Sequence, residues 1–401
     1  MIAGFRDRYG TFPRLMVRAP GRVNLIGEHT DYSLLPVLPF AIDREVLIAI
    51  GPGDSEMEVD SLSSPAPARF TGVDDSAIQG WHRYVLAALR VIDIVPPVRI
   101  LIGGDLPSAG GLSSSSALTM GLISALFLAQ DVELPPRPLG DLTTTAERSM
   151  GVEGGQMDQL VIALAIEGHA LRIDFDPIET RTIPLPDDLA AVVAYSGEPA
   201  PKAGAVNDLY NTRVVAARAG ACLMAKAAEL DPGDPPSLSR VRSIPTSEVE
   251  LSAESTAAEV ATLTGCEVGS ITRLTLHAFP ADAPLPISRV VNHILAEADR
   301  VDATEQALEQ RSFDTLGHLL DQSHTSLQSF GASTTSLDRV TELMRSAGAY
   351  GARLTGAGFG GYALCVCPPA KVSSILTRLA DHQFEPSFKV QAVSGASVIE
   401  L

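Results

Sequence analysis

The chain has 401 residues, 45% hydrophobic and 19% charged, with 48 acidic against 30 basic side chains and a formal net charge of -18. That length can bury large cores and suggests two domains. The acidic balance argues against nucleic acid or anionic membrane as the main partner, because both need a basic patch.

The N-terminal stretch carries no signal-peptide apolar core, and no apolar run reaches the roughly 18 residues of a membrane span. A soluble, cytoplasmic protein is expected. In the Ala19–Tyr32 segment, Pro20-Gly21 sets a turn. Arg22, Asn24, Glu28, His29 and Asp31 then crowd into ten residues. A solvated surface loop is one reading. A metal site fits less well, because adjacent Glu28 and His29 cannot easily face one ion and no histidine follows at helical spacing. A polyol site fits better, since carboxylates and imidazole hold several hydroxyls at fixed angles.

Val37 to Ile50 reads as one or two strands and residues 51–54 as a turn. A helix starts at Trp81, the only tryptophan, whose plain reading is a core anchor, and ends before Pro96-Pro97. Val98 to Ile102 is short and β-branched and reads as a strand. It runs into the Gly/Ser loop of residues 104–118, after which Ala117 to Gln130 is apolar enough for a buried helix. Unpaired N–H groups and the positive end of the helix dipole would face that loop. It reads either as an anion cradle, most naturally for phosphate, or as a serine-capped helix after a loose turn.

Leu142 to Met150 reads as a helix carrying Glu147. Asp158 falls just inside the apolar helix that follows Gly154-Gly155-Gln156-Met157, where a helix-start aspartate taken alone is a cap. Ala170 to Phe175 alternates like a strand. Residues 184–188 form a proline-bounded connector and a candidate domain boundary.

The second half opens with a strand at Ala190–Tyr195. A helix over Asn207–Ala228 carries Tyr210 and Arg213, and a loop-rich stretch follows over Asp231–Glu250. Helices are then expected at Ile287–Gln310, Ser312–Leu327 and Ser336–Ala347. Strands at Gly351–Thr355 and Tyr362–Cys367 flank Gly356-Ala357-Gly358-Phe359-Gly360-Gly361. This glycine loop matches GxGxxG, but a strand follows it where a dinucleotide fingerprint needs a helix. It is read as a hairpin that closes over phosphates or packs on another backbone. Cys222, Cys266, Cys365 and Cys367 form no zinc pattern and read as buried free thiols.

Three clusters in this order resemble the galactokinase branch of the GHMP kinase superfamily. They are Gly21 to Tyr32, Leu106 to Ser116, and Leu354 to Gly361. Gly155-Gln156-Met157-Asp158-Gln159 and Tyr210-Asn211-Thr212-Arg213 resemble two further family segments. The resemblance implies an α+β fold of two lobes, the N-terminal one like ribosomal protein S5 domain 2 over 1–185 and the C-terminal one ferredoxin-like over 186–401. The active site would lie in the cleft between them. It implies Asp158 as the catalytic carboxylate and Arg22 as its basic partner. Glu28, His29, Asp31, Gly155 and Tyr210 would line the sugar pocket. Trp81 would lie near adenine, and Pro107, Gly110, Gly111, Leu112, Ser113, Ser114, Ser115 and Ser116 would bind the nucleotide. Glu147 and Ser115 would hold Mg²⁺, with ATP as co-substrate.

The implied activity is an ATP-dependent sugar 1-kinase acting on D-galactose. Alternatives are another galacto-configured sugar (N-acetylgalactosamine, galacturonate, L-arabinose), an isoprenoid alcohol, or a non-catalytic sensor. A monomer is expected, with a dimer left open. Ser33-Leu34-Leu35-Pro36, Gly154, Gln156, Leu209 and Val214 depart from the family pattern, which puts the sugar's identity in question.

Overall fold

The computed structural model describes residues 1–70, 80–92, 96–108, 110–151, 154–199 and 205–401. Ala109, Val152 and Glu153 of the sequence motifs lie outside them.

The N-terminal part runs α1 (Ile2–Tyr9), β1 (Leu15–Asn24), β2 (Pro39–Pro52), β3 (Met57–Ser61), β4 (Ser64–Phe70), α2 (His82–Ile92) and β5 (Val98–Gly104). It continues with α3 (Ser114–Leu128), α4 (Pro136–Arg148) and α5 (Met157–Leu164), then the hairpin β6 (His169–Phe175) and β7 (Ile178–Pro184). The main sheet has the order β14-β1-β2-β5-β3-β4, where β14 (Ser397–Ile399) is the returning chain end. All its pairs are antiparallel except β3 with β5. Register aligns Val17 with Ile48 and Ile48 with Ile102, so β-branched side chains stack on the face that helices cover. Helix α3 is apolar on all sides, which suits a buried helix. It packs on β1 and β2 and against α2, α4 and α5.

The C-terminal part holds β8 (Ala190–Tyr195), α6 (Ala205–Ala227), β9 (Ser255–Thr256), α7 (Ala257–Thr264), α8 (Val268–Thr272) and β10 (Pro284–Leu285). After these come α9 (Ile287–Glu309), α10 (Phe313–Phe330), α11 (Thr335–Ser346), β11 (Gly351–Thr355), β12 (Tyr362–Cys367), α12 (Val372–Asp381) and β13 (Ser387–Val390). Its sheet is antiparallel, in the order β11-β12-β8-β13. The stretch read as loop-rich contains two short 3₁₀ turns, at Leu238–Val241 and Thr246–Glu248. Cys222, Cys365 and Cys367 are buried and Cys266 is half-buried, all as free thiols.

The glycine hairpin between β11 and β12 seats against the Gly/Ser loop. The Tyr362 N–H donates to the Gly110 carbonyl at 3.0 Å. A Cβ on Gly110 would stand 2.8 Å from Gly361 Cα, and one on Gly111 would stand 2.8 Å from the Thr355 carbonyl oxygen. Of the two readings offered for this hairpin, packing on another backbone is the one observed. Residues with side chains could not approach so closely, which is why both loops are glycine there.

Candidate active site

The Gly/Ser loop, the Arg22–Asp31 segment and the start of α5 meet around a cavity of about 920 Å³. Arg22 comes from the end of β1 and is 5% exposed. Its Nε donates to Asp158 Oδ1 at 2.7 Å, and its Nη1 donates to the Gly111 carbonyl. Ser113 Oγ donates to the other Asp158 oxygen at 2.5 Å. The first-turn position on α5 favours a carboxylate through the helix dipole. Two capping readings therefore fail. Asp158 spends both oxygens across the cavity rather than on its own helix. Ser113 stands at the N-cap of α3 with φ 58° and caps nothing with its hydroxyl. Burial opposes the Arg22 charge, but Asp158 and then Glu28 more than offset it, so its pKa rises.

Glu147 reaches the same cavity from α4. Its Oε2 accepts from Ser116 Oγ at 3.0 Å and from Gln159 Nε2. Burial, with the Asp158 charge adding to it, pushes its pKa up to about 7 against the pull of those hydrogen bonds and of Arg22. Ser115 also lines the cavity, and Tyr84 hydrogen-bonds it. Among the described residues no group of three or more His, Cys, Asp or Glu gathers as a metal cage. The donor set is instead a buried carboxylate and hydroxyl oxygens beside a second carboxylate. That set fits a hard divalent cation that takes its remaining positions from water and phosphate.

The residues expected to line a sugar pocket, Glu28, His29, Asp31, Gly155 and Tyr210, all line the same cavity. Glu28 is 2% exposed, with Oε2 accepting from Asn24 Nδ2 at 2.9 Å and Oε1 accepting from the Gly356 N–H at 2.7 Å. His29 has φ 64°, and its Nε2–H donates to the Ala357 carbonyl at 3.0 Å while Nδ1 accepts from Tyr32 O–H at 3.3 Å. Burial, with His293 adding to it, lowers its pKa to about 3, so the ring is neutral. Asp31 is pushed up to about 7 by burial and by the Asp158 charge. Gly155 is required by contact, because a Cβ there would collide with the Asp31 carboxylate. Tyr210 on α6 closes the group, its ring 5.6 Å from that of His29.

Gly110, Gly111, Ser113, Ser114 and Ser116 also line the cavity. Trp81 does too, while packing on the N-terminal core. Pro107 and Leu112 are not among the lining residues. Leu112 is 1% exposed in the hydrophobic core, and its carbonyl accepts from the Arg22 N–H at 3.1 Å. Tyr84, for which no role was expected, lines the cavity as well, as do Gln159 and Asn211 of the two further family segments. Tyr84 sits at helical spacing from Trp81, which was the available signal.

Most departures from the family pattern lie away from the walls. Val214 is 1% exposed, Leu209 is 41% exposed, and Leu35 packs in the core that neighbouring α6 residues such as Val215 build. Of the altered residues only Gly154 lines the cavity.

Fold and cavity define a small-molecule kinase of the GHMP class. Residues 81–165 match the GHMP kinases N terminal domain, and residues 304–384 match the GHMP kinases C terminal model. Residues 3–52 match the galactokinase galactose-binding signature. Galactokinase of Dictyostelium discoideum is 31% identical over 94% of this chain and 85% of its own. That of Chloroflexus aggregans is 33% identical over 94% of this chain and 90% of its own. The chain belongs to the galactokinase family of GHMP kinases. The structure of Lactococcus lactis galactokinase complexed with galactose shares the fold, with a TM-score of 0.78 at 23% identity over 99% of this chain and 98% of that one. A mevalonate kinase shares it with a TM-score of 0.62 at 16% identity over 95% and 99%. The expected two-lobed α+β GHMP kinase fold is the one observed.

Proposed function

We propose that this sugar kinase transfers the γ-phosphoryl group of ATP to the anomeric C1 hydroxyl of D-galactose, giving galactose 1-phosphate and ADP. One observation carries the reading. The Arg22–Asp158 pair opens onto the cavity that Glu28, His29, Asp31 and Tyr210 line, in a chain of the galactokinase family. Phosphoryl transfer needs positioning and charge neutralisation more than covalent help. Asp158 accepts or orients the hydroxyl proton of the sugar. Arg22 holds the Asp158 carboxylate in place and offsets charge on the moving group. The Gly110–Ser116 backbone and hydroxyls cradle the phosphates. Glu147 and Ser115 would hold Mg²⁺, which neutralises phosphate charge when bound.

The array of fixed acceptors around the sugar favours a polyol over an isoprenoid alcohol. A uronic acid would want a cation for its carboxylate. Arg213, the candidate, stands over the Phe330 ring at 5.2 Å and is not among the lining residues. Two lobes are proposed, 1–185 and 186–401, with β14 returning to complete the first. A sensor would have no use for the Arg22–Asp158 pair and Glu147 together.

Initial rates across galactose, glucose, galactosamine, N-acetylgalactosamine, galacturonate, arabinose and mevalonate test this, with NMR of the product. Galactose is expected to lead, with phosphate on C1. A gluco-sugar preferred over every galacto-configured one, or phosphate on another hydroxyl, would overturn it.

A further inference from the structure

The Arg353 side chain is fully buried on β11, and its Nε and Nη2 make no hydrogen bond. Buried guanidinium donors without partners are rare enough to require a reason. Nη1 donates to the Asn24 and Leu25 carbonyls at 3.1 Å each. Nη2 stands between two buried carboxylates, 3.5 Å from Glu28 Oε1 and 3.8 Å from Glu297 Oε1. Both separations suit charge pairing but not directed bonds. The cation therefore acts as a charge behind Glu28, while Glu28 spends its bonds on Asn24 and the Gly356 N–H.

Glu297 on α9 anchors the other side. Its Oε1 accepts from the Gly27 N–H at 3.1 Å and from Ser323 Oγ at 2.7 Å, and its Oε2 accepts from Arg300 Nε at 2.7 Å. One turn earlier, His293 Nε2–H donates to the Glu28 carbonyl at 3.0 Å. The backbone and side chain of Glu28 are thus held from α9 and β11, far along the chain.

We propose that Arg353, braced by Glu297, is a positioning and specificity-determining residue that keeps Glu28 a fixed hydrogen-bond acceptor for the sugar, although Arg353 itself lines no part of the cavity. This rests on the reading above that Glu28 contacts the sugar. The groups facing Glu28 are Arg22 and Asn24 from β1, Asp31 from its own loop, Tyr210 from α6, Arg353 and the Gly356 N–H from β11 and its hairpin, and Glu297 and His293 from α9. Burial raises the Glu28 pKa, and Arg353 opposes that rise more than Arg22 does. Without Arg353, Glu28 would take up a proton more readily. It would then offer a donor where the sugar hydroxyl needs an acceptor.

The test is steady-state kinetics of Arg353→Met and Arg353→Lys from pH 6 to 9, with galactose, glucose and ATP varied in turn. For Arg353→Met the ratio of its galactose KM to that of the parent is expected to be at least ~10-fold at pH 6 and to shrink to a few-fold by pH 9. The ATP KM should stay within about two-fold, and the preference for galactose over glucose should fall. Arg353→Lys keeps the charge, so its ratio should be a few-fold and flat with pH. If Arg353→Met does not fold, the same measurements on Arg353→Met with Glu297→Gln remove the second carboxylate left facing the gap. If neither folds, Arg353→Lys decides alone, since an ammonium cannot serve both carbonyls and Glu28. An unchanged galactose KM in Arg353→Lys would then overturn the proposal. So would a Met-to-parent ratio that is flat across pH, or a lysine variant no better than methionine. A parent enzyme that turns over no galacto-configured sugar would instead sink the functional reading, independently of Arg353.

Discussion

Arg22 Nε and Asp158 Oδ1 are 2.7 Å apart, although 136 positions separate them in the chain. The pair joins the end of β1 to the first turn of α5 and faces the cavity. Asp158→Asn keeps the shape but can neither take a proton nor balance Arg22. Turnover is expected to fall at least ~100-fold while galactose and ATP affinities stay within a few-fold. Single-turnover kinetics with calorimetric binding checks this, and near-normal turnover would remove Asp158 from the mechanism.

Glu147→Gln is expected to raise the magnesium concentration that gives half-maximal rate, because a neutral amide is a poorer ligand for a hard cation. Its partners Ser116 and Gln159 can both still be satisfied by an amide, so the melting temperature should move little. An unchanged metal requirement would leave Glu147 as an ordinary helix residue.

Asp31 supplies a pH dependence with a definite sign. Its pKa is pushed up to about 7, above the ordinary carboxylate range, by burial and the Asp158 charge. The native state without sugar therefore binds a proton that the unfolded chain has lost. Stability from this group is present below about pH 4 and is lost as pH rises to about 7. Sugar affinity should move the other way and grow as Asp31 ionises. In Asp158→Asn one source of the rise is gone, so the midpoint of sugar affinity against pH should shift downward. Titration calorimetry between pH 5.5 and 8.5 reads it, and an unmoved midpoint would show that Asp158 does not act on Asp31.

Leu34 holds a left-handed conformation, φ 58° and ψ 31°, and is 40% exposed. A side chain there strains the backbone, which glycine would relieve. Leu34→Gly is expected to stabilise the protein by up to about 1 kcal/mol, after the entropy lost by a freer unfolded chain. The galactose KM should not change, because Leu34 is not among the cavity residues. Chemical denaturation and kinetics on one preparation check both halves.

Gly361→Ala tests the seating of one glycine loop on the other. Gly361 has φ 84°, and a Cβ there would press on the Gly110 backbone. Stability should fall by roughly 1–3 kcal/mol, and the ATP KM should rise more than the galactose KM if, as proposed, the loop of Gly110 cradles the phosphates. Equal effects on both constants would place the damage elsewhere.

Local sequence was enough for many of the elements, while α1, β3, β4, α12 and β13 gave no clear local signal, and the family motifs marked most of the residues that line the cavity. The strand beginning at Val98, the apolar helix after the Gly/Ser loop and the hairpin at 351–367 follow from β-branching, apolar runs and glycine punctuation, which are short-range properties. The Arg22–Asp31 cluster was legible because so many polar groups close together make little sense in a core. Other features required the folded chain. A serine or aspartate at a helix start reads as a cap, and only the approach of β1 to α5 turned Ser113 and Asp158 toward Arg22. The altered Leu209 and Val214 looked like changes to the sugar pocket until the turn of α6 directed them to solvent and to the core. Arg353 and Glu297 carried no local signal. A buried charge is defined by what surrounds it, and what surrounds these two is Glu28, brought from more than 250 residues away by the meeting of the two halves.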